Sequence, residues 1–329
     1  MQRELIFDLV KVTEAAALAA APLCGIEDEK LIDKAAVEAM RQKINKLKIN
    51  AKVVIGEGER DQAPMLNIGE DLGLGVGPNL DIAVDPIEGT TLAAKNQANS
   101  LSVLALAEAG GLLAAPDIYM DKIVVGAEGK GVVDLDATPA ENVQALARAK
   151  NKDINDMVVT ILNRERHQEI IKQVREVGAK VNLISAVDIR AGIAANVDYL
   201  RGDMLLGIGG APEGVLTAVA VKCLGGDMQA RLLPANKKEL SRSVKMGHRD
   251  PDKLLKLNDL VSSQEVVFIM TGVTDGEILT GVKSYQNQLE SNSLLLSSKP
   301  QIIRYIRELK KKTAVNFDEF VVERNLAIG

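Results

Sequence analysis

Residues 80–91 read Leu-Asp-Ile-Ala-Val-Asp-Pro-Ile-Glu-Gly-Thr-Thr, and they concentrate groups able to do chemistry. Asp85 and Glu88 stand three residues apart around a proline turn, with the Thr90 hydroxyl two further on. Hard divalent cations such as Mg2+ and Mn2+ take oxygen ligands of this kind and keep positions open for substrate phosphate. Read alone, the stretch also fits an acidic turn with a helix cap. A second acidic run, Gly56-Glu57-Gly58-Glu59-Arg60-Asp61, sets glycines between carboxylates, which lets the acids converge on one point. In isolation it equally describes a charged surface loop. Asp33 adds a third carboxylate on the core-facing stripe of an amphipathic helix, where an acid is costly unless paired, capped or metal-bound. Interaction with the helix dipole is the plainer account of Asp33.

These acids need elements to carry them. Leu5, Leu9, Val12 and Ala16 mark a first helix to about residue 23, and Val37, Met40, Ile44 and Leu47 mark a second over 28–47. A strand over 52–55 delivers the glycine–glutamate run. Ile82 and Val84 alternate with polar or small residues in another strand that Pro86 ends, before a helix over 90–96. Residues 100–107 and 111–115 flank Glu-Ala-Gly-Gly, a hairpin signal. Tyr119 stands out in a chain with 2% aromatic residues, and a short strand covers 122–125.

Beyond a soft boundary near 150–156 the pattern becomes strand–helix alternation. Strands over 157–162, 181–185 and 205–208 are followed by helices over 166–176, 188–195 and from 211 to about 223, which reads as a parallel, helix-covered sheet. Ligands of such sheets sit beyond the strands' carboxyl ends. The loops there hold Asn163-Arg164-Glu165-Arg166-His167, Ser185-Ala186-Val187-Asp188 and Gly209-Gly210-Ala211-Pro212-Glu213-Gly214. Arg164 and Arg166 suit a phosphate, or are simply exposed arginines; Glu213 could complete a metal site at a helix start that favours anions. Strands are expected over 265–271 and 293–297, and a basic helix over 302–312.

Composition narrows the function classes. With 329 residues, 47% hydrophobic and no Trp, the chain is a globular protein with an aliphatic core. Scarce aromatics and a net charge of −5 argue against nucleic-acid modules. Cys24, Cys223, His167 and His248 match no zinc spacing, and a Cys–His catalytic pair is not expected. No signal peptide and no membrane-length apolar run is read, and two cysteines fit a reducing compartment, so a cytoplasmic protein is expected.

Taken together, V-I-G-E-G-E-R-D-x-A-P-M-L, D-I-A-V-D-P-I-E-G-T, A-P-D-x-Y-M and G-I-G-G-A-P-E-G closely resemble the class II (GlpX-type) fructose-1,6-bisphosphatases, members of the lithium-sensitive, metal-dependent sugar and inositol phosphatases. The similarity runs from Arg3 to about Leu232. It implies a layered α-β-α-β-α sandwich, with a metal-binding lobe over 1–150 and a substrate lobe over 151–329. By the family's pattern Asp33 and Glu57 would hold one Mn2+ or Mg2+ ion, and Asp85, Glu88 and Glu213 another, Glu88 being shared. Thr90 would orient or deprotonate water with support from Asp61 and Glu59. Glu88, Gly89, Thr90, Tyr119, Arg164, Glu165, Arg166, Asp188 and Gly210 would face the sugar bisphosphate, and a homodimer or larger homo-oligomer would be expected.

Several positions depart from that pattern. Glu29 replaces a usual Lys, Lys34 a usual Gly, Thr91 a commoner Arg or Asn, and Arg164 a Lys. Ala186 and Val187 stand where Asp-Gly is expected, which removes a carboxylate that accepts sugar hydroxyls, worth roughly 1–3 kcal/mol. The metal carboxylates and Thr90 survive. The expectation is therefore fructose 1,6-bisphosphatase activity in gluconeogenesis, with another substrate such as sedoheptulose 1,7-bisphosphate, or a non-catalytic sugar-phosphate-binding role, as alternatives.

Overall fold

The strand Leu101–Glu108 is apolar on both faces, so it must lie between two covering layers. Leu101, Val103, Ala105 and Ala107 join one core, whereas Leu104 and Leu106 join another. The computed structural model describes residues 3–56 and 66–314. Its helices are α1 (Arg3–Ala20), α2 (Glu29–Ile44), α3 (Thr90–Ala94), α4 (Pro139–Ala149), α5 (Gln168–Glu176), α6 (Asp188–Ala194), α7 (Ala211–Leu224), α8 (Lys237–Lys245) and α9 (Leu257–Leu260). Its strands are β1 (Asn50–Ile55), β2 (Asp71–Leu72), β3 (Asn79–Glu88), β4 (Leu101–Glu108), β5 (Tyr119–Val125), β6 (Val158–Leu162) and β7 (Lys180–Ile184). They continue with β8 (Met204–Gly210), β9 (Asp227–Leu233), β10 (Leu255–Lys256), β11 (Val266–Gly272), β12 (Lys283–Ser284), β13 (Gln288–Ser298) and β14 (Gln301–Lys311).

Among the described residues the strands form two mixed sheets. One is eight-stranded, ordered β12-β13-β11-β4-β3-β1-β2 with β14 on the outside of β13. The other is six-stranded, ordered β10-β9-β5-β8-β6-β7. Helices α1 and α2 cover the outer face of the first sheet, α6 and α7 fill the space between the sheets, and α4 and α5 cover the outer face of the second. This is the five-layer α-β-α-β-α sandwich. α7 is buried on nearly every side from Gly214 to Val221, as a helix between two sheets must be. Each fully buried aliphatic side chain there contributes about 1.5–3 kcal/mol. Thr138 caps α4 through a reciprocal capping box with Glu141, with Pro139 in the first turn.

Four sequence expectations need correction. Only β6, β7 and β8 run parallel; β5, β9 and β10 join antiparallel, so the second sheet is mixed. β5 comes from the first half of the chain, and β11–β14 return to the first sheet from the end. Residues 111–115 form no hairpin with β4, which pairs instead with β3 and β11; only Leu112 makes a bridge, to Val261. The basic segment 302–312 is mostly the strand β14, paired with β13 over its full length, not a helix. Finally, β3 does not end at Pro86 but continues to Glu88 through an irregularity. Among the described residues, no helix is long and apolar enough to cross a membrane.

Candidate active site

Two side chains three apart on a regular strand point to opposite faces. The register of β3 against β4 slips between Asp85↔Val103 and Glu88↔Leu101, so three steps on β3 match two on β4. This one-residue bulge restores both acids to the same face. Ile82, Val84 and Ile87 pack outward under α1 and α2, while Ala83 packs toward the central layer. Asp85 and Glu88 therefore both point inward, to meet Glu213 from the first turn of α7.

Ligand oxygens of Asp85, Glu88 and Glu213 all lie within 4.8 Å of one another. Glu213 can fold back because Gly210 has no side chain; a Cβ there would sit 1.8 Å from Glu213 Oε2. Burial raises the Asp85 carboxyl, against hydrogen bonds with Glu88 and from Ile87 N–H, the latter at 3.1 Å. Glu88 is held well above the usual carboxylate range, first by burial and then by the charge of Asp85. Glu213 is pushed up to about 7 by burial and by Asp188, with Lys122 opposing. Glu213 Oε2 is buried without a hydrogen-bond partner. Crowded carboxylates and an orphaned oxygen fit a divalent cation with oxygen ligands, which would relieve both the repulsion and the missing bond.

The residues expected to face the substrate gather beside this cluster. Asp188, the first residue of α6, is buried and ion-paired to Lys122 of β5 at 2.8 Å. Lys122 Nζ also donates to Gly210 O at 3.2 Å. Gly209 is required here, since a Cβ would meet Asp188 Oδ2 at 2.3 Å. Tyr119 lies opposite Gly210 in the β5–β8 ladder, and the Arg166 guanidinium stacks over its ring at 4.6 Å. Arg166 donates to Ile208 O at 2.9 Å, and Arg164 to Ser185 O at 2.6 Å, so both arginines are anchored at the ends of strands. Glu165 is exposed on the 3-10 turn between them. Thr90 donates its hydroxyl proton to Ile87 O at 2.9 Å, leaving oxygen lone pairs to accept from water. Gly89, ahead of it, takes a left-handed φ of 83° that favours glycine.

The other expected site residues are either distinct from this cluster, as expected for a second ion, or outside the described residues. Asp33 is half-buried in the second turn of α2 and is not part of the three-carboxylate cluster; α2 itself is capped by Asp28, which accepts from Leu31 N at 3.0 Å. Glu57, Glu59 and Asp61 lie outside the described residues. Glu29 and Lys34 are exposed, so those two departures fall on the surface of α2, and an acid in its first turn suits the dipole. Sequence reasoning missed Lys122, whose signal was a lysine leading directly into the apolar run Ile123–Val125 of a strand. It also missed the bracing role of His167, which is buried, with Nδ1–H donating to Leu162 O at 2.7 Å and Nε2 accepting from Ile208 N at 2.8 Å. Burial lowers its pKa, and it acts as a neutral strut under the arginine loop.

A layered sandwich whose first sheet and central helix bring three carboxylates together, with a pair of anchored arginines at the second sheet, fits the metal-dependent sugar phosphatase class. Residues 3–310 match the family described as bacterial fructose-1,6-bisphosphatase, glpX-encoded, and the chain belongs to that family. It is 40% identical over 336 residues to a protein of Synechococcus sp. (strain JA-3-3Ab) named D-fructose 1,6-bisphosphatase class 2/sedoheptulose 1,7-bisphosphatase, spanning 95% of this chain and 97% of that one. A protein of the same name from Synechococcus sp. (strain RCC307) is 42% identical over 320 residues, 93% of this chain and 95% of that one.

Proposed function

We propose that this protein is a phosphoric monoester hydrolase that removes the 1-phosphate of fructose 1,6-bisphosphate to give fructose 6-phosphate. Sedoheptulose 1,7-bisphosphate is a second substrate in this reading, favoured by the dual name of the cyanobacterial relatives. The supporting observation is the convergence of Asp85, Glu88 and Glu213 around an oxygen that lacks a partner. Those three residues would hold one Mn2+ or Mg2+ ion, and Asp33 with Glu57 a second. Bound there, the metal supplies positive charge to the phosphate oxygens and acidifies water.

The chain's own residues do the rest. Arg164 and Arg166 bind the distal phosphate, their guanidinium groups already fixed by backbone carbonyls, so little side-chain freedom is lost on binding. Tyr119, stacked under Arg166, forms a wall of that pocket. Asp188 accepts sugar hydroxyls with the carboxylate that Lys122 orients. Thr90 accepts a hydrogen bond from the attacking water and aims its oxygen in line with the leaving group; with Asp61 and Glu59 in support, one carboxylate takes the water's proton and the departing sugar oxygen is protonated in turn. In this reading residues 1–150 carry most of the metal ligands and 151–329 most of the substrate contacts; the enzyme is cytoplasmic and self-associates as a homodimer or larger homo-oligomer.

The test is phosphate release from fructose 1,6-bisphosphate with Mn2+, with Mg2+ and with EDTA. Turnover should require metal and fall at least about 10²-fold in Thr90→Ala and further in Asp85→Ala, scales typical of lost acid–base and electrostatic groups. Saturable binding without turnover at any metal concentration would instead establish a non-catalytic role.

A further inference from the structure

Strand β14 lies at an edge. β13 gives one side to β11, over residues 293–297, and to β12, over 289–290, and its whole other side to β14. Among the described residues no strand pairs with the far side of β14. An edge of this length presents a row of unpaired N–H and C=O groups, which proteins usually shorten, cover or interrupt with proline. β14 has no proline, and it shows Ile303, Tyr305 and Leu309 at 50%, 47% and 52% exposure along one face. Arg304 has no carboxylate partner among the described residues, where its guanidinium rests over Phe7.

We infer that this edge pairs with β14 of a second copy of the chain, antiparallel about a twofold axis through Ile306. This deepens, and rests on, the self-association proposed above. The register follows from charge. Opposed side chains in an antiparallel pair share one face, so a twofold axis perpendicular to the sheet must set one residue against its own copy. Centred on Arg304 or Arg307, the pairing opposes two arginines. Centred on Tyr305, it sets exposed Ile303 against Arg307. Centred on Ile306, it sets Ile303 against Leu309, Arg304 against Glu308 and Tyr305 against Arg307, each pairing made twice. The exposed aliphatics Ile303 and Leu309 meet each other, Ile302 faces the stem of Lys310 on the less exposed face, the Arg304 charge gains a partner, an arginine meets an aromatic ring, and no like charges stand opposite. Within one strand Arg304 and Glu308 are four residues apart, too far to neutralise each other; inside the chain Glu308 pairs with Lys310 at 3.3 Å and hydrogen-bonds with Glu14.

The full-length protein should elute in size-exclusion chromatography with light scattering at twice the 35.2 kDa chain mass, or a multiple of that. Arg304→Glu should weaken this association at least tenfold, and the charge swap Arg304→Glu/Glu308→Arg should restore it, which a folding defect in the single variant could not do. An Arg304→Glu protein that still dimerises like wild type would overturn this interface while leaving self-association intact. A monomeric wild type would overturn both. A monomer whose β14 amides are nonetheless protected from hydrogen exchange would assign the edge to residues 315–329 of the same chain and reject the second copy.

Discussion

At the level of single residues, Lys122 ties β5 to the start of α6 beside the three acids. Its ammonium is almost wholly buried against Asp188 and the Gly210 carbonyl. Removing one member of a buried ion pair strands the other, at about 3–5 kcal/mol, whereas replacing both by apolar residues is often neutral. Lys122→Met should therefore destabilise strongly, and Lys122→Met/Asp188→Leu should recover most of the melting temperature while leaving turnover lost. If the double variant unfolds as early as the single one, the pair is not what limits stability. Val187 presents a different balance. It is β-branched, yet holds φ 62° and ψ 58° just before α6, a conformation costing roughly 1–2 kcal/mol for an L residue. Its side chain is buried, and the room for it comes from Gly89, where a Cβ would approach Val187 Cγ2 to 2.9 Å. Val187→Gly releases the strain but forfeits about 1.5–3 kcal/mol of burial, so the net loss in denaturant unfolding should stay below about 2 kcal/mol. A greater loss would mean that the valine, rather than the backbone, sets the shape of this loop.

At the level of elements, Asp203 fixes where the second sheet begins. It accepts from Lys152 at 2.7 Å and from Val158 N at 2.9 Å, and pairs with Lys150 at 3.2 Å, joining the segment before β8 to α4's end and the start of β6. Burial alone would raise its pKa; the lysines and the backbone N–H prevail and lower it below 3.8. A carboxyl depressed on folding stabilises fully above its unfolded value and loses that contribution as pH falls below 3.8. Asp203→Asn should cost about 1–3 kcal/mol near neutral pH and flatten this part of the acid limb, as followed by thermal unfolding at several pH values. Elements also show what could be read from the sequence. The helices α1, α2 and α7 and the strand β3 were legible because local periodicity and the Gly/Pro signals agree. Strand β14 was not: Ile302, Ile306 and Leu309 lie at near-helical spacing, and only its eleven-residue partner β13, a non-local feature, selects a strand. The second sheet was misread as parallel for the same reason, since β5 joins it from far upstream. In the site, Asp85, Glu88 and Glu213 were legible as acids on turns. Their shared face was not, because it depends on a bulge defined by β4, and Lys122 was hidden because beside Asp121 it reads as an ordinary charged strand start.

At the level of the whole molecule, the three carboxylates come from different layers. Asp85 and Glu88 end a strand of the first sheet, and Glu213 opens the helix packed between the two sheets. Folding the layers together thus brings buried like charges into contact, a cost that the surrounding core must offset in the absence of a cation. A cation held by all three ties the first sheet to the central helix, and it binds the folded chain in preference to the unfolded one. At about 100 times its Kd it should add about 2.7 kcal/mol of stability. Glu213→Gln keeps the shape while removing one charge, so its effects should have opposite signs in the two states. In EDTA the variant should melt at or above wild type, because repulsion with Asp188 and Asp85 is relieved. In Mn2+ it should melt below wild type, because the metal-dependent gain is lost. Thermal unfolding with and without Mn2+ reads both signs without any assay of turnover. A variant that melts lower than wild type in EDTA would show that the Glu213 charge is already compensated by groups of the chain itself, and the proposed cation would lose its physical reason for being there.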